Sequence, residues 1–287
     1  MRMLAQWNEC GGGNEVLSPG AFAALLESTL KGIILKGVAV LTEGRSGSNW
    51  LGSLTNATGT MGRSAEWLKP AYLGSEPRAY AALEEAVMRK SSTENGRFAV
   101  KVFPRHLIWS KEKCGKDFLL EIRKDKDLGF ILLERRDRLR QAISFYRASV
   151  SRLWTSRQKD AGSGVPYSFA GISQAFFQVE QSYAFWRAYL NLSELPYRHF
   201  VYEDLLADPQ PYLDAVAELL DVPAPATVPV SQLRIQRDDV TEEWARRFRQ
   251  EAGHKGAIDA IGDAPVPRTL DNLARFATKR PLSRRRF

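Results

Sequence analysis

Four consecutive residues, Arg45-Ser46-Gly47-Ser48, carry the clearest chemistry in this sequence. They follow an apolar run, Val38-Ala39-Val40-Leu41, and precede a helical pattern that begins with Trp50, Leu51 and Leu54. The order is strand, tight turn, helix. Such a turn brings successive backbone N–H groups, two hydroxyls and a guanidinium to a helix N-terminus, where the dipole favours an anion. A phosphate or a sulfate is the expected guest, although a plain strand-to-helix turn has the same composition. The spacing G-x-x-x-x-G-K-[ST] is missing, so hydrolysis of ATP or GTP is not expected.

A second set of groups begins at Arg135, which ends an apolar run starting at Gly129. After Asp137 the pattern is helical, and Arg140, Ser144, Arg147 and Ser151 recur at i, i+4, i+7 and i+11 on one face. An arginine with a hydroxyl, flanked by further arginines, can hold a phosphate through charge-assisted hydrogen bonds. The plain alternative is that Arg135, Arg136 and Arg138 solvate the end of a sheet. Two anion sites at the C-terminal ends of strands in one sheet point to a nucleotide with phosphates at both ends of its ribose. Trp50 and Trp67 flank the cleft these loops imply, and either ring suits stacking on a sugar or a base. Trp50 also lies on the apolar face of its helix, where packing is an equal reading.

These groups need a scaffold that brings strand ends together. The runs at 37–43, 98–103 and 129–134 do not alternate strictly, which fits strands buried on both faces of a parallel sheet. Helical material separates them, giving a βαβ pattern. The expected fold is therefore α/β, a P-loop-like three-layer αβα with a central parallel sheet. Helices are expected near 18–30, over 48–57 with Gly59 as the stop, and over 77–89. Another follows Asp137, with a core stripe of Leu139, Ala142, Ile143, Tyr146, Val150, Leu153 and Trp154. Further helices are expected over 170–191, after a cap at Asp208-Pro209, and over 241–251; Tyr197–Tyr202 reads as a strand. The chain reads as one domain with a core of about 37–252, an N-terminal extension (1–36) and a basic tail (253–287).

The sequence has 287 residues, 44% hydrophobic and 26% charged, enough for one large soluble α/β domain. A formal charge of +8 suits a polyanionic ligand, nucleic acid or an anionic membrane surface. No nucleic-acid fold signature appears, so no nucleic-acid partner is expected. Cys10 and Cys114 are not in metal spacing, and His106, His199 and His254 form no ligand motif, so no metal is expected. No window approaches the roughly 20 apolar residues of a membrane span, and the first residues lack a signal-peptide pattern. A cytoplasmic location is expected, with peripheral contact at the inner face of the membrane as an option.

Thr42-Glu-Gly-Arg-Ser-Gly-Ser-Asn-Trp-Leu resembles the 5′-phosphosulfate loop of sulfotransferases that use 3′-phosphoadenosine 5′-phosphosulfate (PAPS). Arg135-Arg-Asp-Arg-Leu-Arg-Gln-Ala-Ile-Ser resembles their 3′-phosphate element. Thr58-Gly-Thr-Met-Gly-Arg-Ser-Ala-Glu-Trp, Tyr202-Glu-Asp-Leu, and Gln236-Arg-Asp followed by Glu242-Glu-Trp-Ala-Arg-Arg-Phe add to the likeness. It is nearest to the bacterial trehalose 2-sulfotransferase group, which includes lipopolysaccharide sulfotransferases, and it spans about residues 38–252. The resemblance implies that Arg45, Ser46, Gly47, Ser48, Asn49 and Trp50 hold the 5′ end of PAPS, and Arg135 and Ser144 its 3′-phosphate. Glu66, which by itself reads as an exposed loop glutamate, falls at the position of the family's catalytic base. Arg45 would stabilise charge on the leaving phosphate. Arg63, Glu66, Trp67 and Lys101 would face a carbohydrate or glycolipid acceptor; Lys101 otherwise reads as a sheet-end lysine that snorkels to water. The trehalose enzymes carry an acidic residue where this chain has Arg63. That reversal points away from neutral trehalose and towards an acidic or larger glycan such as a lipopolysaccharide core. Members of the group can form homodimers. A P-loop-like nucleotide-dependent kinase and a non-catalytic anion-binding module are the competing classes.

Overall fold

The computed structural model describes residues 35–74, 77–154, 164–231 and 239–255. The expected helix near 18–30, the Gln236-Arg-Asp stretch and the basic tail beyond 255 lie outside them.

Strand β1 (Lys36–Leu41) runs into the Arg45 loop and helix α1 (Ser48–Ala57). Short helix α2 (Pro70–Leu73) and helix α3 (Tyr80–Ser91) lead to β2 (Arg97–Val102). Helices α4 (Pro104–Cys114) and α5 (Phe118–Ile122) precede β3 (Asp127–Glu134), which runs into α6 (Arg138–Ser151). The long helix α7 (Phe169–Leu192) is followed by β4 (Tyr197–Val201) and the single turn α8 (Tyr202–Leu205). Helices α9 (Gln210–Leu220) and α10 (Asp239–Lys255) complete the described chain. These elements belong to one compact unit that starts at Lys36.

The four strands are all parallel, in the order β2-β1-β3-β4. The fold is α/β with a central parallel sheet between helices, as the sequence leads one to expect. Both faces are covered, which is why the strands read as unbroken apolar runs. Val38 and Val40 of β1 and Ile131 and Leu133 of β3 pack with Leu51 and Leu54 of α1 and Leu213, Val216 and Leu220 of α9. Alternate residues Ala39, Leu41, Phe130 and Leu132 are equally buried on the other face. Trp186 of α7 is fully buried and its Nε1 donates to Thr42 O at the end of β1 (2.9 Å).

Register decides where the loops meet. Leu41 lies opposite Val102 and Leu132, so β1 and β2 end together and β3 runs two residues further, to Glu134. Glu134 lies opposite Val201, so Arg135 and Tyr202 leave the sheet side by side. The segments after all four strands therefore gather at one edge, where ligands bind in open parallel sheets.

Three local expectations are corrected. On α6 the buried residues are Gln141, Ala142, Ile143, Phe145 and Ala148, while Val150 is 50% exposed and Trp154, past the helix end, is 37% exposed. The stripe turns because α7 covers one flank of α6 and α10 another, so apolar spacing alone did not mark the buried face. Helix α9 starts one residue later than expected, with Pro209 at the cap, although Asp208 Oδ1 still accepts from Gln210 N (2.9 Å). Helix α3 starts at Tyr80 rather than Pro77.

Candidate active site

The Arg45 loop is held from below before any ligand is considered. Thr42 Oγ1 donates to Leu133 O (2.7 Å) and lies 2.8 Å from Ser46 Oγ. Gln141 Nε2 donates to Gly44 O (2.9 Å). Ser46 is completely buried, so its hydroxyl serves the loop's own framework. Gly47 caps α1 with φ 85°, and Leu51 N donates to its carbonyl (3.1 Å). A Cβ there would lie 2.1 Å from Tyr202 Cδ2, so glycine is required for both its conformation and its contact. We expect Gly47→Ala to cost about 2–4 kcal/mol, because the ring must move and the backbone is strained. Denaturant unfolding would check this; a midpoint equal to wild type would contradict it.

Arg45 is the hub of the site. It is a non-glycine residue at φ 65°, a conformation kept only where neighbours enforce it. Its Nε donates to Ser144 Oγ (2.8 Å), its Nη1 donates to Trp154 O (2.8 Å), and its carbonyl accepts from Arg135 Nη1 (3.3 Å). The loop and both residues of the second anion site thus meet at one residue, Ser144 on its side chain and Arg135 on its backbone carbonyl. Burial, and then the nearby guanidinium groups of Arg135 and Arg147, push the pKa of Arg45 down. Three mutually repelling cations at one sheet edge would be relieved by an anion. Ser144 accepts from Arg45 and keeps its own proton to donate. Arg135 Nε is buried and, among the described residues, has no hydrogen bond; it lies 3.4 Å from Glu203 Oε1.

Tyr202, Glu203 and Asp204 fix this second site. The Tyr202 ring packs on Gly47, stands edge-on to Trp50 (6.1 Å) and lies 5.4 Å from the Arg135 guanidinium. Glu203 accepts from Arg136 N (2.7 Å) and Asp137 N (3.1 Å), and Asp204 takes both its oxygens to Arg136. The polar stripe on α6 faces α10: Arg140 pairs with Glu242, and Arg147 Nη1 donates to Thr241 Oγ1 (2.9 Å).

Glu66 comes to the site through β2. Ala65 forms a parallel bridge with Val100, and Lys101 N donates to Ala65 O (2.9 Å). Glu66 Oε1 then lies 3.3 Å from Lys101 Nζ, which also donates to Asn49 Oδ1 on α1. Lys101 is 3% exposed, so it does not snorkel; it clamps Glu66 to the helix that follows the loop. Burial pushes its ammonium below the ordinary lysine range, and the Glu66 carboxylate opposes that shift. Trp67 Nε1 donates to Arg63 O and its ring meets Tyr72 edge-on (6.0 Å). The Arg63 side chain is exposed, and its backbone N–H is anchored on Ser91 O (2.7 Å). Trp50 is half-buried and packs against the core.

A family model described as Stf0 sulphotransferase matches residues 38–251. The chain belongs to the Stf0 sulphotransferase family. The match runs from β1 into α10 and contains the loop, Glu66, Arg135 and Ser144, so the enzyme class is transferase. This sulfotransferase is also similar to a solved structure, the sulfotransferase domain from the Synechococcus PCC 7002 olefin synthase, with 15% identity. That comparison covers 86% of this chain and 95% of the other, with a TM-score of 0.37. No curated protein matches the chain.

Residues without a role in the sequence also lie at this candidate site. Glu43 is 1% exposed in the loop itself, and Arg105, on the first turn of α4, pairs with it. His106 is 5% exposed, and its Nδ1 has no hydrogen-bond partner among the described residues. Burial, with Arg105 beside it, pushes its imidazole down to about 4, so it is neutral at neutral pH. Glu43 stood inside the stretch that resembles the 5′-phosphosulfate loop, as a charged residue between a buried strand and a glycine, but neither signal gave it a task. Nothing in the sequence marked Arg105, 62 residues on, as its partner.

Proposed function

We propose that this sulfotransferase moves the sulfuryl group of PAPS to a hydroxyl of a carbohydrate or glycolipid acceptor, with Glu66 as the base. The observation that carries the donor reading is the convergence of Arg135 and Ser144 on Arg45, which gathers two guanidinium groups and a hydroxyl at a helix N-terminus. PAPS supplies a sulfuryl group activated by its phosphate leaving group. The backbone N–H groups of 46–49 and the Arg45 guanidinium bind the 5′ end, while Arg135 and the Ser144 hydroxyl bind the 3′-phosphate. Glu66 takes the proton of the attacking hydroxyl, and Lys101 fixes its carboxylate near Asn49. In-line placement and charge stabilisation then do most of the work, as in phosphoryl transfer. No divalent metal is invoked.

Lys69, Lys101 and Arg105 all bear electrostatically on His106 beside Glu66, and Arg63 is exposed nearby in sequence. This surrounding favours an acidic glycan over neutral trehalose. Equal transfer from labelled PAPS to both would remove that preference. The formal charge of +8 suits peripheral contact with the anionic inner face of a membrane from the cytoplasm, and a homodimer is compatible with the family. No helix among the described residues is long and apolar enough to cross a membrane.

Calorimetry tests the donor. Adenosine 3′,5′-bisphosphate should bind tightly without magnesium, and ATP and a DNA oligomer should not. Arg135→Ala should raise the dissociation constant for the bisphosphate by about 10- to 100-fold, the loss of a charge-assisted pair. An unchanged constant would show that Arg135 does not hold the 3′-phosphate.

A further inference from the structure

A buried carboxylate inside an anion-binding loop is an electrostatic contradiction, and Glu43 is one. It lies two residues before Arg45, at the end of β1, and is 1% exposed. Every side-chain oxygen is used. Its Oε1 accepts from Gly44 N (2.6 Å) and from Arg105 Nη1 (2.5 Å), and its Oε2 accepts from Ser182 Oγ of α7 (2.6 Å). The carboxylate thus ties the loop backbone to the long helix beneath it. Left alone it would repel any anion held above it, because a charge in this surrounding is weakly screened. Arg105 removes that repulsion. Its guanidinium lies over the Phe103 ring (4.5 Å), which aims it at Glu43, and its side chain is 42% exposed on the other side.

We propose that Glu43 and Arg105 form a positioning pair for the donor loop, in which Glu43 shapes the loop and Arg105 cancels the negative charge that this shape requires. The proposal rests on the reading that the loop holds the anionic 5′ end of the donor. It makes an unusual demand: loss of Arg105 should be repaired by also neutralising Glu43. Glutamine at 43 keeps the fit, since its oxygen can accept from Gly44 N and its amide can donate to Ser182 Oγ.

The test is the affinity for adenosine 3′,5′-bisphosphate in wild type, Arg105→Ala, Glu43→Gln and the double variant. Arg105→Ala should bind about tenfold more weakly or worse. The double variant should return to within about threefold of wild type, and Glu43→Gln alone should bind a few-fold more tightly, roughly what one unmasked cation adds at this range. Arg105→Gln serves if the alanine variant does not fold. A double variant as weak as Arg105→Ala would overturn the proposal, because Arg105 would then touch the ligand or merely hold the fold. So would an Arg105 variant that binds like wild type. Failure of the donor reading shows separately, as absence of bisphosphate binding in wild type. In that event inorganic sulfate, which needs only the loop, decides the pair on the same proteins by the same criteria.

Discussion

Glu66→Gln should bind adenosine 3′,5′-bisphosphate as wild type does and lose about 10²- to 10⁴-fold in turnover, the usual worth of a positioned base. The separation of the two effects follows from the geometry. Among the described residues Glu66 pairs with Lys101, which in turn donates to Asn49 of α1, whereas the contacts of Arg45 described above run to Ser144, Trp154 and Arg135. Glutamine keeps the size of the side chain and an oxygen facing Lys101, but it cannot accept a proton at neutral pH. A competing explanation of lost turnover is that the substitution strands the Lys101 ammonium, which is 3% exposed, without a counter-charge. Removing one member of such a buried pair is costly in its own right. The double variant Glu66→Gln/Lys101→Met separates the two. If Glu66 only neutralises Lys101, the double variant recovers; if Glu66 is the base, it stays inactive. Full turnover in Glu66→Gln would end the assignment.

The parts of this site that were legible in the sequence are those whose meaning is local. An apolar run, a Gly/Ser turn and a helical stripe placed Arg45 to Ser48 correctly, because strand, turn and cap each depend on residues within a few positions. The parallel sheet was legible for the same reason, since strands buried on both faces lose their alternation. What stayed hidden depends on partners far along the chain. Lys101 reads as a lysine at a sheet end, and only the Ala65–Val100 bridge turns it into a clamp for Glu66. Glu43 and Arg105 become a pair only because Leu41 and Val102 end in register. The α6 stripe was misjudged because α10 takes the face carrying Arg140 and Arg147, and the sequence of α6 alone contains no trace of that helix. Glu203 shows the intermediate case: its motif was visible, but its task of capping Arg136 and Asp137 needed the register of β3 and β4.

Arg45 is where these two kinds of information meet, and its removal should have the second large effect. We expect Arg45→Ala to lower turnover at saturating donor by about 10²- to 10³-fold, the loss typical when one preorganised donor at developing charge is removed. The side chain is suited to that role because its orientation is already fixed. Ser144 and Trp154 hold the guanidinium from two sides, so little reorganisation is needed as charge gathers on the leaving oxygen. The same contacts offer a rival account, in which Arg45 only clasps the second anion site together. The two differ in which constant moves. A clasp would raise the dissociation constant for the bisphosphate, as Arg135→Ala does, and leave turnover of the saturated enzyme near wild type; transition-state stabilisation lowers turnover itself. Backbone strain supplies an internal control. At φ 65° glycine is relaxed and alanine is not, so Arg45→Gly should be more stable than Arg45→Ala by about 1 kcal/mol while being equally inactive. Turnover that followed stability rather than the missing guanidinium would show that Arg45 shapes the loop instead of acting on the transferred group.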